Sequence, residues 1–344
     1  GTGAWTAWLT ASALTSSLYP GANGHTYAFQ CRATDNAGNT GAYPGGAGNT
    51  STTVDTSILN PPATINDGTA ADLYFTTDAA SLSANWTAVT GASSYVLCFG
   101  SGAVPNNCSV MDWTDVGTVT TYTKTGLALA DGQTYFARIK CKNFSGIEGA
   151  PGNSDGVTLD ANPPGTPAVT DEGAFTRNTS SLYASWSSTP GNSGIAEYQY
   201  AVGTTAGGTN TLNWTSNGIR NDATISGLSL SNATTYYISV KAKAGSGAWS
   251  AAGNSDGILV DTAAPTCAVQ ALAQYQANTS FAVAWSGADS GSGIANLYDV
   301  QYKDGTAGAW TDWLVFNSLT TKNFNGIDGH DYSFRCRAMD NAGN

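Results

Sequence analysis

A chain of 344 residues with 41% hydrophobic and 10% aromatic residues has the material for two or three cored domains and is not a disordered coil. Charged residues are only 11%, against about 25% in an ordinary soluble domain, and the net charge is −11; both exclude the clustered Lys and Arg that nucleic acid or an anionic membrane surface requires. No run of about 18 apolar residues is present to insert into a membrane, and 41 glycines among many Thr, Ser and Asn favour short strands and turns over long helices.

Gly1–Thr10 lacks a basic segment followed by an apolar one and there is no initiator Met, so the chain is read as starting inside a mature polypeptide. The first clear strand, GHTYAFQCRA, alternates so that Tyr27, Phe29, Cys31 and Ala33 share a face, the period of a half-buried strand. An Asp-ended apolar run with prolines, TTVDTSILNPP, closes this segment. A tryptophan strand, SLSANWTAV around Trp86, opens the next, followed by GQTYFARIKC around Tyr135 and the closing phrase VTLDANPPGTP. The third runs from SLYASWSST (Trp186) through ATTYYISVKA (Tyr236) to ILVDTAAPT. The fourth holds SFAVAWSGA (Trp285) and GHDYSFRCRA (Tyr332) and stops at DNAGN.

The three tryptophans are 100 and 99 residues apart, so the chain is a repeat. The expected borders are 1–56, 57–160, 161–261 and 262–344, the first segment lacking its opening strands and the last its final strand. Residues 1–39 align without a gap to 306–344 with 21 of 39 positions identical, which makes the ends one subtype in a super-repeat of 305 residues. About seven strands per ~100 residues, separated by Gly/Asn/Asp turns, predict an all-β chain of tandem antiparallel β-sandwich domains forming an elongated rod.

The repeats resemble fibronectin type III and related immunoglobulin-like domains of large secreted prokaryotic surface proteins. Trp86, Trp186 and Trp285 match the core tryptophan of that fold, and LALADGQTY (Leu127–Tyr135) and LSLSNATTY (Leu228–Tyr236) match its leucine-to-tyrosine corner. The phrases DSGSGIANLYDVQYKDG, GAWTDWL and RAMDNAGN are similar to repeats of such surface proteins. The resemblance spans the chain and implies the fold; the sandwich itself hosts many roles.

Six cysteines without a CxxC pair argue against zinc and redox motifs and for an oxidising, extracytoplasmic compartment. Cys267, on a first strand, and Cys336, inward on a sixth, are expected to form a cross-sheet disulfide, and Cys98 with Cys108 a local one. Cys31 is the counterpart of Cys336 without a partner in the chain, and Cys141 is read as a free buried thiol. The two histidines, His25 and His330, recur in the same GHxY turn, which marks them as structural; no GxSxG, P-loop or HExxH motif appears. Asp35–Asn39 and its twin at Asp340 offer calcium-type oxygens, but without EF-hand spacing they read as turn chemistry. Trp5, Trp113, Trp214 and Trp310 precede Thr at equivalent places and read as scaffold. Trp8 and Trp313, three residues further on and on the opposite face, are candidates for an exposed aromatic contact. Eight sequons are candidate N-glycan sites: Asn49, Asn85, Asn107, Asn143, Asn178, Asn213, Asn232 and Asn278, with Asn85 expected to point outward because Trp86 points in.

The expectation is thus a non-enzymatic, extracellular structural repeat protein without cofactor or metal: a cell-surface fibre, filament or adhesive stalk whose partners are copies of itself or cell-surface glycans. The alternative is a set of accessory, spacer or carbohydrate-binding modules of a large secreted polysaccharide-active enzyme.

Overall fold

The structure, a computed structural model, describes residues 3–102 and 107–344. It divides into two compact units, Gly1–Ala161 and Asn162–Asn344. All regular structure among the described residues is strand.

The first unit opens with an antiparallel pair, β1 (Thr26–Phe29) and β2 (Thr50–Thr53), in which Tyr27 faces Thr52. A sandwich follows, built from β3 (Ile65–Asp67), β4 (Phe75–Thr76), β5 (Ser81–Trp86), β6 (Ser94–Ser101), β7 (Met111–Gly117), β8 (Thr121–Thr125), β9 (Thr134–Lys142), β10 (Gly152–Asn153) and β11 (Val157–Leu159). One sheet runs β3-β5-β8; the other runs β4-β11-β9-β6-β7, with β10 also on β9. Strand β5 alternates buried and half-buried residues, as its sequence period requires, and puts Leu82, Ala84 and Trp86 against Leu97, Phe99, Ala137 and Ile139 of the facing sheet. Strand β6 is buried on both faces. On its outer face Cys98 lies opposite Arg138, which is 1% exposed and donates at 2.7 Å to the carbonyls of Asn107 and Gly102.

The second unit repeats the plan with β12 (Ala168–Asp171), β13 (Phe175–Thr176), β14 (Ser181–Ser187), β15 (Ile195–Gly203), β16 (Leu212–Gly218), β17 (Asp222–Ser226), β18 (Thr234–Ala244), β19 (Gly253–Asn254) and β20 (Ile258–Val260). Its sheets are β12-β14-β17 and β13-β20-β18-β15-β16. A further pair of three-stranded sheets, β21-β22-β25 and β24-β23-β26, is formed by β21 (Thr266–Val269), β22 (Ser280–Ala288), β23 (Ile294–Asp304), β24 (Thr311–Asn317), β25 (Thr321–Asn325) and β26 (Tyr332–Asp340). This is the strand order of tandem fibronectin type III-like sandwiches.

Two devices recur. Trp86, Trp186 and Trp285 are 5%, 3% and 1% exposed, so each fills the centre of a core. Tyr27, Tyr135, Tyr236 and Tyr332 each accept, on the phenol oxygen, the N–H of the residue five positions earlier, at 2.8–3.1 Å. That bond satisfies a turn donor and fixes how the chain enters the strand. Disulfides join Cys98 to Cys108 and Cys267 to Cys336. The second ties β21 to β26 across the sandwich, and its 69-residue separation corresponds to about 4 kcal/mol in the chain-entropy account. Cys31 is exposed and unbridged, and Cys141 is a buried free thiol.

Candidate functional sites

In each of the three strand sets that hold a core tryptophan, further tryptophan rings lie under cations. The Lys140 ammonium lies 4.3 Å from the Trp113 ring centre, and Lys241 sits 4.5 Å from both Trp214 and Trp249. Arg335 and Lys303 cover Trp310 at 4.3 and 5.4 Å. Each contact contributes about 0.5–1 kcal/mol at such exposed places. These rings are occupied by the protein's own cations.

The expectation for Trp313 is corrected. Its half-buried ring lies 6.0 Å from Trp285, 5.4 Å from Phe324 and 5.8 Å from Phe334, packed against the core cluster. Trp310 is the member of that pair on the outer face. Trp8 takes the equivalent inward position, 5.2 Å from Tyr19 and 5.8 Å from Phe29, and is 41% exposed.

Carboxylates gather in two places where one oxygen from each of three residues falls within 4.8 Å: Asp67, Asp72 and Asp155, and Asp261, Asp289 and Asp340. Such sets have the hard oxygen donors that a divalent cation takes. Here they already serve the backbone. Asp67 accepts the Ser154 hydroxyl and the Gly156 N–H, both at 2.9 Å. Asp289 accepts the N–H groups of Gly291 and Gly293, and Asp340 accepts that of Asn344. Burial pushes the Asp67 carboxyl up to about 7. The Ser292 hydroxyl and neighbouring N–H groups hold Asp261 below the usual carboxylate range. Asp35 is likewise lowered, by the Asn39 amide.

His330 pairs with Asp304 at 2.8 Å and stacks on Tyr332, and His25 stacks on Tyr27, so both brace the turn before the corner tyrosine. Clefts among the described residues include two. One, of about 440 Å³, is lined by Gly24, Thr53, Val54, Asp55, Phe144 and Ser145. The other, of about 400 Å³, includes Tyr302, Asp304, Phe324 and Tyr332. Neither contains either acidic cluster.

Among the sequons, Asn49, Asn178, Asn213, Asn232 and Asn278 are exposed. Asn143 departs from the expectation: it is 0% exposed, and its amide donates to the carbonyls of Asp55 and Ser57. Asn85 does lie away from the core, but its amide donates to the carbonyls of Gly68 and Ala70, and a glycan would take the hydrogen of one of these bonds. Asn107 is half-buried with its amide on the Ser101 carbonyl.

No protein-family profile matches the chain. Over 171 residues it is 33% identical to chitinase A1 of Niallia circulans, a match covering 47% of this chain and 22% of that protein. Over 247 residues it is 27% identical to exoglucanase B of Cellulomonas fimi, covering 67% of this chain and 21% of that protein. The chain thus spans about a fifth of the length of either relative. Among solved structures, the fibronectin(III)-like modules of Clostridium thermocellum CbhA align at a TM-score of 0.35 and 12% identity, over 58% of this chain and 94% of that one. Chicken CNTN1 FN1–FN3 domains align at 0.29 and 18%, over 83% and 95%. These two scores are low, and the assignment of the sandwiches rests on strand order, corner tyrosines and core tryptophans.

Proposed function

We propose that these residues are extracellular, non-catalytic spacer modules of a larger polysaccharide-active protein. The observation that carries this reading is the sequence similarity to a chitinase and an exoglucanase, confined to about a fifth of each. The chemistry of the chain agrees with it. Glycoside hydrolysis uses a carboxylate pair flanking a substrate-sized cleft, whereas the gathered carboxylates here cap backbone N–H groups outside the two clefts. The two disulfides fit an oxidising compartment. The expectation that put a cell-surface fibre first yields to this one. Intact-mass measurement and peptide mapping of the native polypeptide test it: a hydrolase or polysaccharide-binding domain in the same chain is expected, and a long polypeptide of sandwiches alone would overturn it. In parallel, the 344-residue chain is expected to release no reducing sugar from chitin or cellulose.

A second reading, a filament of many sandwiches, draws on one observation: the ends of the chain are the same subtype at 21 of 39 identical positions, 305 residues apart. Negative-stain imaging of native material separates it, showing filaments in one case and discrete particles in the other.

A further inference from the structure

Two of the joints between successive strand sets carry one repeated contact, made by two different residues. At the first joint, β2 runs out through Val54-Asp55-Thr56, and the Asp55 carboxylate accepts both the N–H and the hydroxyl of Ser57. The Asn143 side chain, from the loop after β9, reaches back and donates to the carbonyls of Ser57 at 2.8 Å and Asp55 at 3.3 Å. Its oxygen meanwhile accepts the N–H groups of Ser145 and Ile147, so the loop holds the amide in place. A Cβ at Gly149 would clash with the Leu59 carbonyl oxygen, so the same loop also lies directly on the linker.

At the second joint, inside the other unit, β20 runs out through Val260-Asp261-Thr262. The Asp261 carboxylate accepts the N–H groups of Ala263 at 3.0 Å and of Ser292, beyond the linker, at 2.7 Å. Here Asn344 donates to the Asp261 carbonyl at 2.8 Å, and its own N–H is held by Asp340 at 2.7 Å. Aligned on Tyr135 and Tyr332, Asp340 stands where Asn143 does and Asn344 where Ile147 does. The amide donor has moved four positions along the loop, from the residue that caps the turn to the residue capped, and still finds the carbonyl of the strand-ending Asp. The Asn344 amide also donates to the Asp340 carboxylate at 2.9 Å, so the group that completes the turn at this joint is the one that reaches the preceding strand end.

We infer that this contact is a clasp: an asparagine amide of one sandwich seizes the backbone of the strand end before it and sets the angle at the joint. The clasp replaces linker flexibility with two or three directed hydrogen bonds. It is independent of whether the array serves an enzyme or a filament.

The test uses the full chain with Cys31→Ser, Thr224→Cys and Thr321→Cys, carrying nitroxide labels on β17 and β25, both exposed positions of the second unit. Electron–electron dipolar spectroscopy is expected to show one narrow distance distribution. Asn344→Ala removes the amide, with its bonds to the Asp261 carbonyl and the Asp340 carboxylate, and keeps the N–H bond to Asp340. It is expected to widen the distribution at least twofold while the melting midpoint stays unchanged. A width unaltered by Asn344→Ala overturns the clasp. So does a broad distribution in the chain with Asn344 intact, a result that holds whatever the variant's fold.

Discussion

Asp67 is a carboxylate at 1% exposure, and its two hydrogen bonds only partly offset the cost of burying its charge. Burial, with Asp72 and Asp155 adding repulsion, lifts its pKa from 3.8 to about 7. The folded chain therefore binds this proton more tightly than the unfolded one. The associated stability is full below pH 3.8 and drains away as pH rises toward 7. Asp261 has the opposite sign: its depressed pKa gives stability that is present at neutral pH and lost on acidification. Asp67→Asn keeps the shape and abolishes the titration. Relative to wild type it is expected to gain roughly 2–4 kcal/mol between pH 4 and pH 8 in urea titrations. An identical pH slope in both proteins would show that Asp67 is not the buried acid. Asn143 makes a related point, since a sequon is a string of three letters and the fold decides whether its amide is free.

At the scale of the strand, period-two alternation made the tryptophan strands legible. Trp186 in β14 is 3% exposed and touches Tyr198 and Tyr200. Trp186→Ala is expected to destabilise its sandwich by about 3–5 kcal/mol, read by chemical denaturation followed in the near-ultraviolet; a loss under about 1 kcal/mol would mean the cavity collapses. Other elements left no such trace. Strands β4, β10, β13 and β19 are two residues long, too short for a period, and form only because longer neighbours present an unpaired ladder. Strand β6 reads as a continuous apolar run because Arg138 and the Cys98–Cys108 disulfide lie on its outer face. The inward turn of Trp313 was hidden for another reason. Spacing of three fixes that Trp310 and Trp313 oppose each other but not which is inside; that depends on Arg335 and Lys303, which are brought to Trp310 by pairing of β23 with β26. The full acidic clusters and the clasp were illegible too, since each joins residues far apart in sequence, Asp67 with Asp155, Asp261 with Asp340, and Asn143 with Asp55.

Across the whole molecule, the sparse charge takes on meaning once it is placed. Of 13 basic residues, ten lie within strands and three, Arg32, Arg177 and Arg220, outside them. Several of the ten are also committed: Lys140, Lys241 and Arg335 lie over tryptophan rings, and Arg138 is buried on two carbonyls. A trypsin-type protease recognises a basic side chain in a pocket with an Asp at its base, and it needs the surrounding backbone released from the ladder. Limited digestion of the folded chain is therefore expected to start at Arg32, Arg177 and Arg220 and to leave the strand sites intact until global unfolding. Early cleavage after Lys140 or Lys241 would contradict the stacked arrangement. The cations that brace the sheets against solvent thereby also withhold from such proteases the side chains they read, and durability in a digestive milieu follows from rings that, in sequence, read only as scaffold.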